Sequence, residues 1–236
     1  MEPFWIVAVI FCAAFTQSLT GFGSALVAMA VLPGLIGIRT AAPLVALMAI
    51  TLESLLLVRH HTAFNLHAVW RLALASALAI PVGMLILRQL NEKLALAALG
   101  VVICAYALYA LLNFKLPRLE HPMWAYGFGL LAGLLSGAYN TGGPPAVVFG
   151  NCQRWPPSEF KGNLQGFFLV NDVLVITSHA LSGHVTATVL RDYLLALPAV
   201  AAGVLLGSWI DRYLDPIVFR RIVLVLLLLV GLRLLF

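Results

Sequence analysis

Charged residues are scarce in this chain. Asp, Glu, Lys and Arg make up 10% of its 236 residues, where a soluble domain carries about 25%. A surface with so few charges cannot face water over most of its area. Cysteine is scarce too. Cys12, Cys104 and Cys152 are odd in number, lie in or beside apolar runs and show no metal-ligand spacing. They read as buried free thiols rather than a disulfide framework or a zinc site. No basic stretch precedes the first apolar run at Met1-Glu2-Pro3, so the first helix is expected to be retained rather than removed as a signal peptide. No polar stretch exceeds about a dozen residues, which leaves no room for a separate soluble domain.

What fills the chain is apolar sequence, 62% of all residues. A membrane-spanning helix needs ~20 largely apolar residues. The reading is an all-α integral membrane protein of eight to ten membrane segments, a single domain over residues 1–236 whose surroundings are the lipid bilayer. Its net charge of +5 sits in short loops between apolar runs. The excess of Lys and Arg in cytoplasmic loops accounts for that charge, and nucleic acid is not expected as a partner.

The charges also divide the chain. None occurs between Glu2 and Arg39, a run of 36 residues, nor between Glu120 and Arg154, a run of 33. Each run has a polar break near its middle: Thr20-Gly21-Phe22-Gly23-Ser24, and Asn140-Thr141-Gly142-Gly143-Pro144-Pro145. Three shorter apolar segments follow each, at about 41–58, 70–87 and 94–112, then 162–179, 192–210 and 217–235. Sliding the halves by 119 or 120 places Gly23 on Gly143, Glu53 on Asp172, His60 on His179, Arg71 on Arg191 and Gly83 on Gly203. Paired intramembrane acids are hard to obtain by chance. We expect two repeats, about 3–113 and 122–236, joined by a linker at 114–121. Internal repeats mark many secondary transporters.

A straight helix of 36 residues would measure ~54 Å, against a hydrocarbon core of ~30 Å. Each long run must therefore break into a hairpin of two arms of about 16 residues, ~24 Å each. A hairpin plus three spans crosses the membrane an odd number of times, so the repeats are expected to be inverted. That model puts Arg59, Arg71, Lys115, Arg118, Arg154, Lys161, Arg212, Arg220 and Arg221 on the cytoplasmic side, and Arg39, Arg88, Lys93, Arg191 and Arg233 opposite. Non-helical backbone at mid-membrane depth survives only inside protein or against a wet cavity, so the two tips should meet in the interior. Gly21-Phe22-Gly23 also admits a plainer reading as a helix-packing notch. A dinucleotide-binding reading fails, because no strand–turn–helix context surrounds it.

The second tip carries a resemblance. The stretch Gly133-Leu134-Leu135-Ser136-Gly137-Ala138-Tyr139-Asn140-Thr141-Gly142-Gly143-Pro144-Pro145, followed by Pro157-Ser158-Glu159-Phe160-Lys161-Gly162-Asn163, resembles the second-repeat signature of the TauE/SafE sulfite exporter family. Gln17-Ser18-Leu19-Thr20-Gly21-Phe22-Gly23 resembles its first tip. Asn163 stands where that family commonly has Thr, and the first tip has fewer glycines. The resemblance implies a secondary transporter of small sulfur-containing anions, such as sulfite or a sulfonate, in the bacterial inner membrane.

The expected binding site follows from the hairpins. The second arm of each begins at the tip, and a helix N-terminus offers unpaired N–H groups and about half a positive charge. The donors would come from Gly21, Gly23, Ser24 and Ala25 with the Thr20 and Ser24 hydroxyls, and from Gly142, Gly143 and Ala146 with the Asn140 and Thr141 side chains. Gln17, Asn163 and Gln165 are further candidates from neighbouring stretches. Glu53 and Asp172 are candidates for proton coupling, since intramembrane carboxylates are functional by default. The six histidines, His60, His61, His67, His121, His179 and His184, fall in loops or at helix ends. No catalytic group, metal site or cofactor is expected. An anion channel, a membrane-embedded enzyme or a scaffold stay open as alternatives, as does a homo-oligomer.

Overall fold

The computed structural model describes residues 2–112, 116–211, 213 and 216–235. Lys115 and Arg212 of the topology count, and part of the expected linker, lie outside them. Among the described residues the chain forms ten α-helices: α1 (Glu2–Thr20), α2 (Ser24–Ile36), α3 (Ile38–His60), α4 (Leu66–Gln89), α5 (Glu92–Leu112), α6 (Met123–Tyr139), α7 (Gly143–Gln153), α8 (Pro157–Leu181), α9 (Ala187–Ile210) and α10 (Pro216–Arg233). Six of them, α1, α3, α4, α5, α8 and α9, are long and apolar enough to cross a membrane. Large apolar side chains such as Leu78, Leu194 and Leu205 stand on the outside, where only lipid can cover so much apolar surface. The protein is an integral membrane protein.

Both long uncharged runs break where their glycines sit. α1 stops at Gly21, with φ 81°, and α2 starts after Gly23, with φ 103°; glycine adopts these angles without a Cβ penalty. α6 stops at Asn140, with φ 55°, a left-handed conformation that Asn tolerates better than most residues. α7 then begins at Gly143 with Pro144 and Pro145 in its first turn, where the missing N–H groups cost nothing. The arms are unequal, against the expectation of about 16 residues each. They hold 19 and 13 residues in the first hairpin, and 17 and 11 in the second. At 1.5 Å per residue α7 reaches only ~16 Å and α2 ~20 Å, so neither second arm crosses alone. α2 is cut short at Gly37, φ 76°, which leads directly into α3. α7 is cut short at Arg154, φ 55°, just before Pro156 and Pro157.

The halves are intertwined. α1 packs along α9, and α6 packs along α4; α3 lies against both α8 and α9, and α8 against α4. α5 pairs with α10. Exchanging the halves reproduces these neighbours. Gly83 of α4 meets the backbone of Leu134 and Ala138 on α6, while its sequence counterpart Gly203 of α9 meets Phe11, Ala14 and Phe15 on α1.

Close approach, not polarity, holds α4 to α6. Gly129, Gly133 and Gly137 form an i, i+4 stripe on α6, facing the carbonyls of Leu72, Ser76 and Ile80. Lipid offers no hydrophobic drive for helix association, so small residues that admit close van der Waals contact take its place. A Cβ on Gly137 would overlap the Ile80 carbonyl oxygen and lie 2.9 Å from its carbon. Backbone cannot yield as a side chain tip can. Gly137→Ala is expected to cost about 1–3 kcal/mol by overpacking. Gly127→Ala on the same helix, with nothing within 4 Å, should be neutral or stabilising by up to ~1 kcal/mol, from helix propensity. Thermal melts of the two detergent-purified variants distinguish them, and equal melting temperatures would contradict this account of the interface.

Candidate functional site

The two tips do meet. Gly23, Ser24 and Ala25 at the start of α2, and Gly142 and Gly143 at the start of α7, line one cavity of about 30 Å³. Its remaining wall comes from α1, α3, α6 and α8, through Gln17, Ala49, Glu53, Ser136, Asn140, Thr141, Phe168, Asn171 and Asp172. Two helix N-termini thus open on the same small space, each with its partial positive charge. Among the described residues no Lys or Arg lines the cavity. Glu53 and Asp172, 119 residues apart in sequence, both face it from α3 and α8, which pack together.

Gln17 is the organiser of the first tip, although sequence reasoning ranked it below the tip residues. Its side-chain oxygen accepts the Ser24 N–H at 3.1 Å, which fixes the amide orientation. Its nitrogen donates to Glu53 Oε1 at 2.5 Å and to Gln165 Oε1 at 3.1 Å. One buried amide therefore caps α2, orients the Glu53 carboxyl and ties α1 to α8. Both donors and the acceptor of Gln17 are used. The Ser24 N–H, expected to face a ligand, is already taken by this cap.

Five expected site residues lie outside the cavity lining. Thr20 turns away: its hydroxyl lies 2.9 Å from the Thr16 carbonyl oxygen and 2.6 Å from that of Phe22. The Gly21 carbonyl accepts a bond from Gln165 Nε2 at 2.7 Å, so both Gly21 and Gln165 serve the tip's attachment to α8. Asn163 Oδ1 accepts the Asn65 N–H at 2.8 Å and positions the start of α4. Ala146 is buried within α7. Five wall residues were not expected from the sequence: Leu26, Ala49, Ser136, Phe168 and Asn171. Ser136 is one turn before Asn140 on α6, and Asn171 is next to Asp172; helical spacing from the tip and adjacency to the acid were the signals. Phe168 carried no such signal.

The polar lining is under-satisfied. Thr141 is fully buried and Asn140 is 6% exposed, yet Thr141 Oγ1 and both side-chain atoms of Asn140 have no hydrogen-bond partner among the described residues. The same holds for Glu53 Oε2 and Asn171 Oδ1, although Asn171 Nδ2 donates weakly to Ser136 Oγ at 3.4 Å. Burying polar atoms without partners costs about 1–3 kcal/mol each. Several such atoms around one cavity are more than a well-packed interior leaves and call for an explanation.

A family model described as sulfite exporter TauE/SafE matches residues 6–234. The chain belongs to the TauE/SafE family. It is 28% identical over 225 residues to a protein of Cupriavidus necator described as a probable sulfite/organosulfonate exporter TauE, an alignment covering 91% of this chain and 86% of that one. No solved structure matches the chain. The family places the protein among membrane transporters.

Proposed function

We propose that this TauE/SafE protein moves small sulfur-containing oxyanions, sulfite or an organosulfonate, across the bacterial inner membrane, binding them in the cavity between the two tips. The observation that carries the reading is the set of buried polar atoms left without partners around that cavity. Asn140 Nδ2 and the Thr141 hydroxyl supply donors, and the α2 and α7 N-termini supply positive potential without a fixed cation. A tetrahedral or pyramidal oxyanion uses several donors at once, where a carboxylate would use fewer. A cavity of about 30 Å³ has room for a couple of waters, the scale of a desolvated small anion.

The substrate's charge bears on coupling. Two carboxylates and an anion cannot share this space cheaply. Like charges ~4 Å apart cost about 4 kcal/mol at an effective dielectric of 20. Glu53 and Asp172 are therefore assigned to proton coupling, the anion and protons occupying the site together. The exchange of neighbours between the halves supports two inverted repeats. The positive-inside bias puts the face of Lys161 and Arg220 in the cytoplasm, the side from which an exporter loads.

The test is binding. Isothermal titration of the purified protein with sulfite and with methanesulfonate should show saturable affinity. Asn140→Ala should weaken it by ~1–3 kcal/mol, the worth of a hydrogen bond to a charged group. A folded Asn140→Ala protein with unchanged affinity would move the site elsewhere.

A further inference from the structure

Three cavities are joined end to end by shared residues. On the Lys161 face lies a vestibule of about 680 Å³, lined among others by Thr20, Lys161, Asp211, Arg220 and Arg221. A neck of about 10 Å³ follows, lined by Thr20, Phe22, Gly23, Tyr106 and Arg220. Thr20 and Arg220 belong to both vestibule and neck, while Gly23 and Leu26 belong to both neck and central cavity. The order of spaces is therefore vestibule, neck, central site.

The neck is built around one aromatic side chain. Phe22 is 5% exposed and sits between two glycines of positive φ, Gly21 and Gly23. Its ring meets Tyr106 edge-on at 5.9 Å between centroids, and the Arg220 guanidinium carbon lies 5.6 Å from its centre. In the vestibule Lys161 pairs with Asp211 at 3.3 Å; Arg220 and Arg221 line it too, and among the described residues Arg220 is the cation that also lines the neck. Arg220 Nε and the Tyr106 hydroxyl are both buried without a well-formed hydrogen bond among the described residues, and the Arg220 side chain lies beside the Tyr106 hydroxyl. Two buried polar groups thus border the neck beside the Phe22 ring.

We infer that Arg220 and Tyr106 form a relay site for the oxyanion between the vestibule and the central cavity, and that Phe22 is the plug that closes the way between them. This rests on the proposed transport of an anion through the central site. The guanidinium, a fork of N–H donors, draws the anion from the vestibule. Rotation of Phe22 about its two flanking glycines opens the neck, and the anion passes Gly23 to the tip of α2.

Thiol labelling reads the passage without relying on transport. In a protein with Cys12, Cys104 and Cys152 replaced by Ala, Thr20→Cys reports on the mouth of the neck and Ser24→Cys on the central cavity. Probes are the anionic sulfonatoethyl and the cationic trimethylammonioethyl methanethiosulfonates. At Thr20→Cys the anionic reagent should be favoured about tenfold over the cationic one, relative to a free thiol, by local potential. Arg220→Gln should remove that preference, and Arg220→Lys should keep most of it. Ser24→Cys should label slowly with Phe22 present and at least about tenfold faster with Phe22→Ala. A preference indifferent to Arg220→Gln, or equal Ser24→Cys labelling with and without Phe22, overturns the inference. Should the cysteine-free background not insert, half-saturation for methanesulfonate in proteoliposomes replaces it: Arg220→Gln is expected to raise it about tenfold, and an unchanged value overturns the relay. Intact charge-selective labelling in a protein that moves no sulfur anion would instead overturn the proposed function alone.

Discussion

Asp172→Asn should strip the protein of part of its pH dependence while leaving it folded. Asp172 is 6% exposed and faces the same cavity as Glu53. An anion arriving there adds a negative charge beside two carboxyls, with no lining cation among the described residues to offset it. Each carboxylate ~4 Å away would oppose it by about 4 kcal/mol. Proton uptake removes that repulsion, so anion binding and protonation are linked. Where one proton is bound with each anion, affinity falls about tenfold per pH unit. The neutral amide of Asn keeps size and polarity but removes the titration. The readout is methanesulfonate affinity between about pH 6 and 8, because a sulfonate does not titrate there and only the protein's groups report. The slope should fall with Asp172→Asn and again with Glu53→Gln, and the double variant should bind equally well across the range. Glu53→Gln preserves the acceptor that Gln17 uses, so its fold should survive. A wild-type slope in the double variant would exclude both acids from coupling.

Gly143→Val is expected to abolish anion binding without unfolding the protein. Gly143 lines the cavity at the first residue of α7. Beyond its two chain neighbours, a Cβ there would meet the Phe168 ring at 3.7 Å, an ordinary contact, and its φ is not positive. The added isopropyl group would occupy a space of about 30 Å³ that has room for about two waters. Loss of binding should exceed a hundredfold, since no bond of the anion to the tip could form at its usual 2.7–3.2 Å. The neighbouring substitution makes the contrast. A Cβ on Gly142 would overlap Ser136 Oγ and lie 2.7 Å from the Ala132 carbonyl oxygen. Gly142→Ala should therefore lower the melting temperature, where Gly143→Val should not. The pair separates a tip that binds from a tip that merely packs: if Gly143→Val binds normally, the cavity is structural.

Much of this site was legible because membranes make polarity expensive. Glu53 and Asp172 stood out as acids in apolar runs, and their pairing across the repeat anticipated their meeting in one cavity. The glycine-rich breaks were legible because a 36-residue uncharged run is too long for one crossing. What escaped reading was direction. Thr20 and Ser24 flank the same tip, yet only Ser24 faces the central cavity while Thr20 faces the vestibule and neck. Which way a residue points at a helix end depends on what packs there, and for Thr20 that surface comes from α5, α8 and α10. Gln17 escaped for a related reason. Its three partners, Ser24, Glu53 and Gln165, span up to 148 positions, and no local pattern announces such a hub. Pro156 and Pro157, which cannot continue a helix, signalled an end to α7 near this point, but that Arg154 itself takes the left-handed turn, φ 55°, carried no signal.

Counterflow in proteoliposomes tests the central claim most directly. Vesicles holding the purified protein and trapped unlabelled sulfite are diluted into a trace of labelled sulfite, with and without the Gly143→Val substitution. A sulfur-oxyanion transporter whose site lies between the tips should accumulate label transiently, only when unlabelled sulfite or methanesulfonate is trapped inside, and not at all with Gly143→Val. Absence of accumulation in the wild-type protein, or accumulation that Gly143→Val leaves intact, would contradict it.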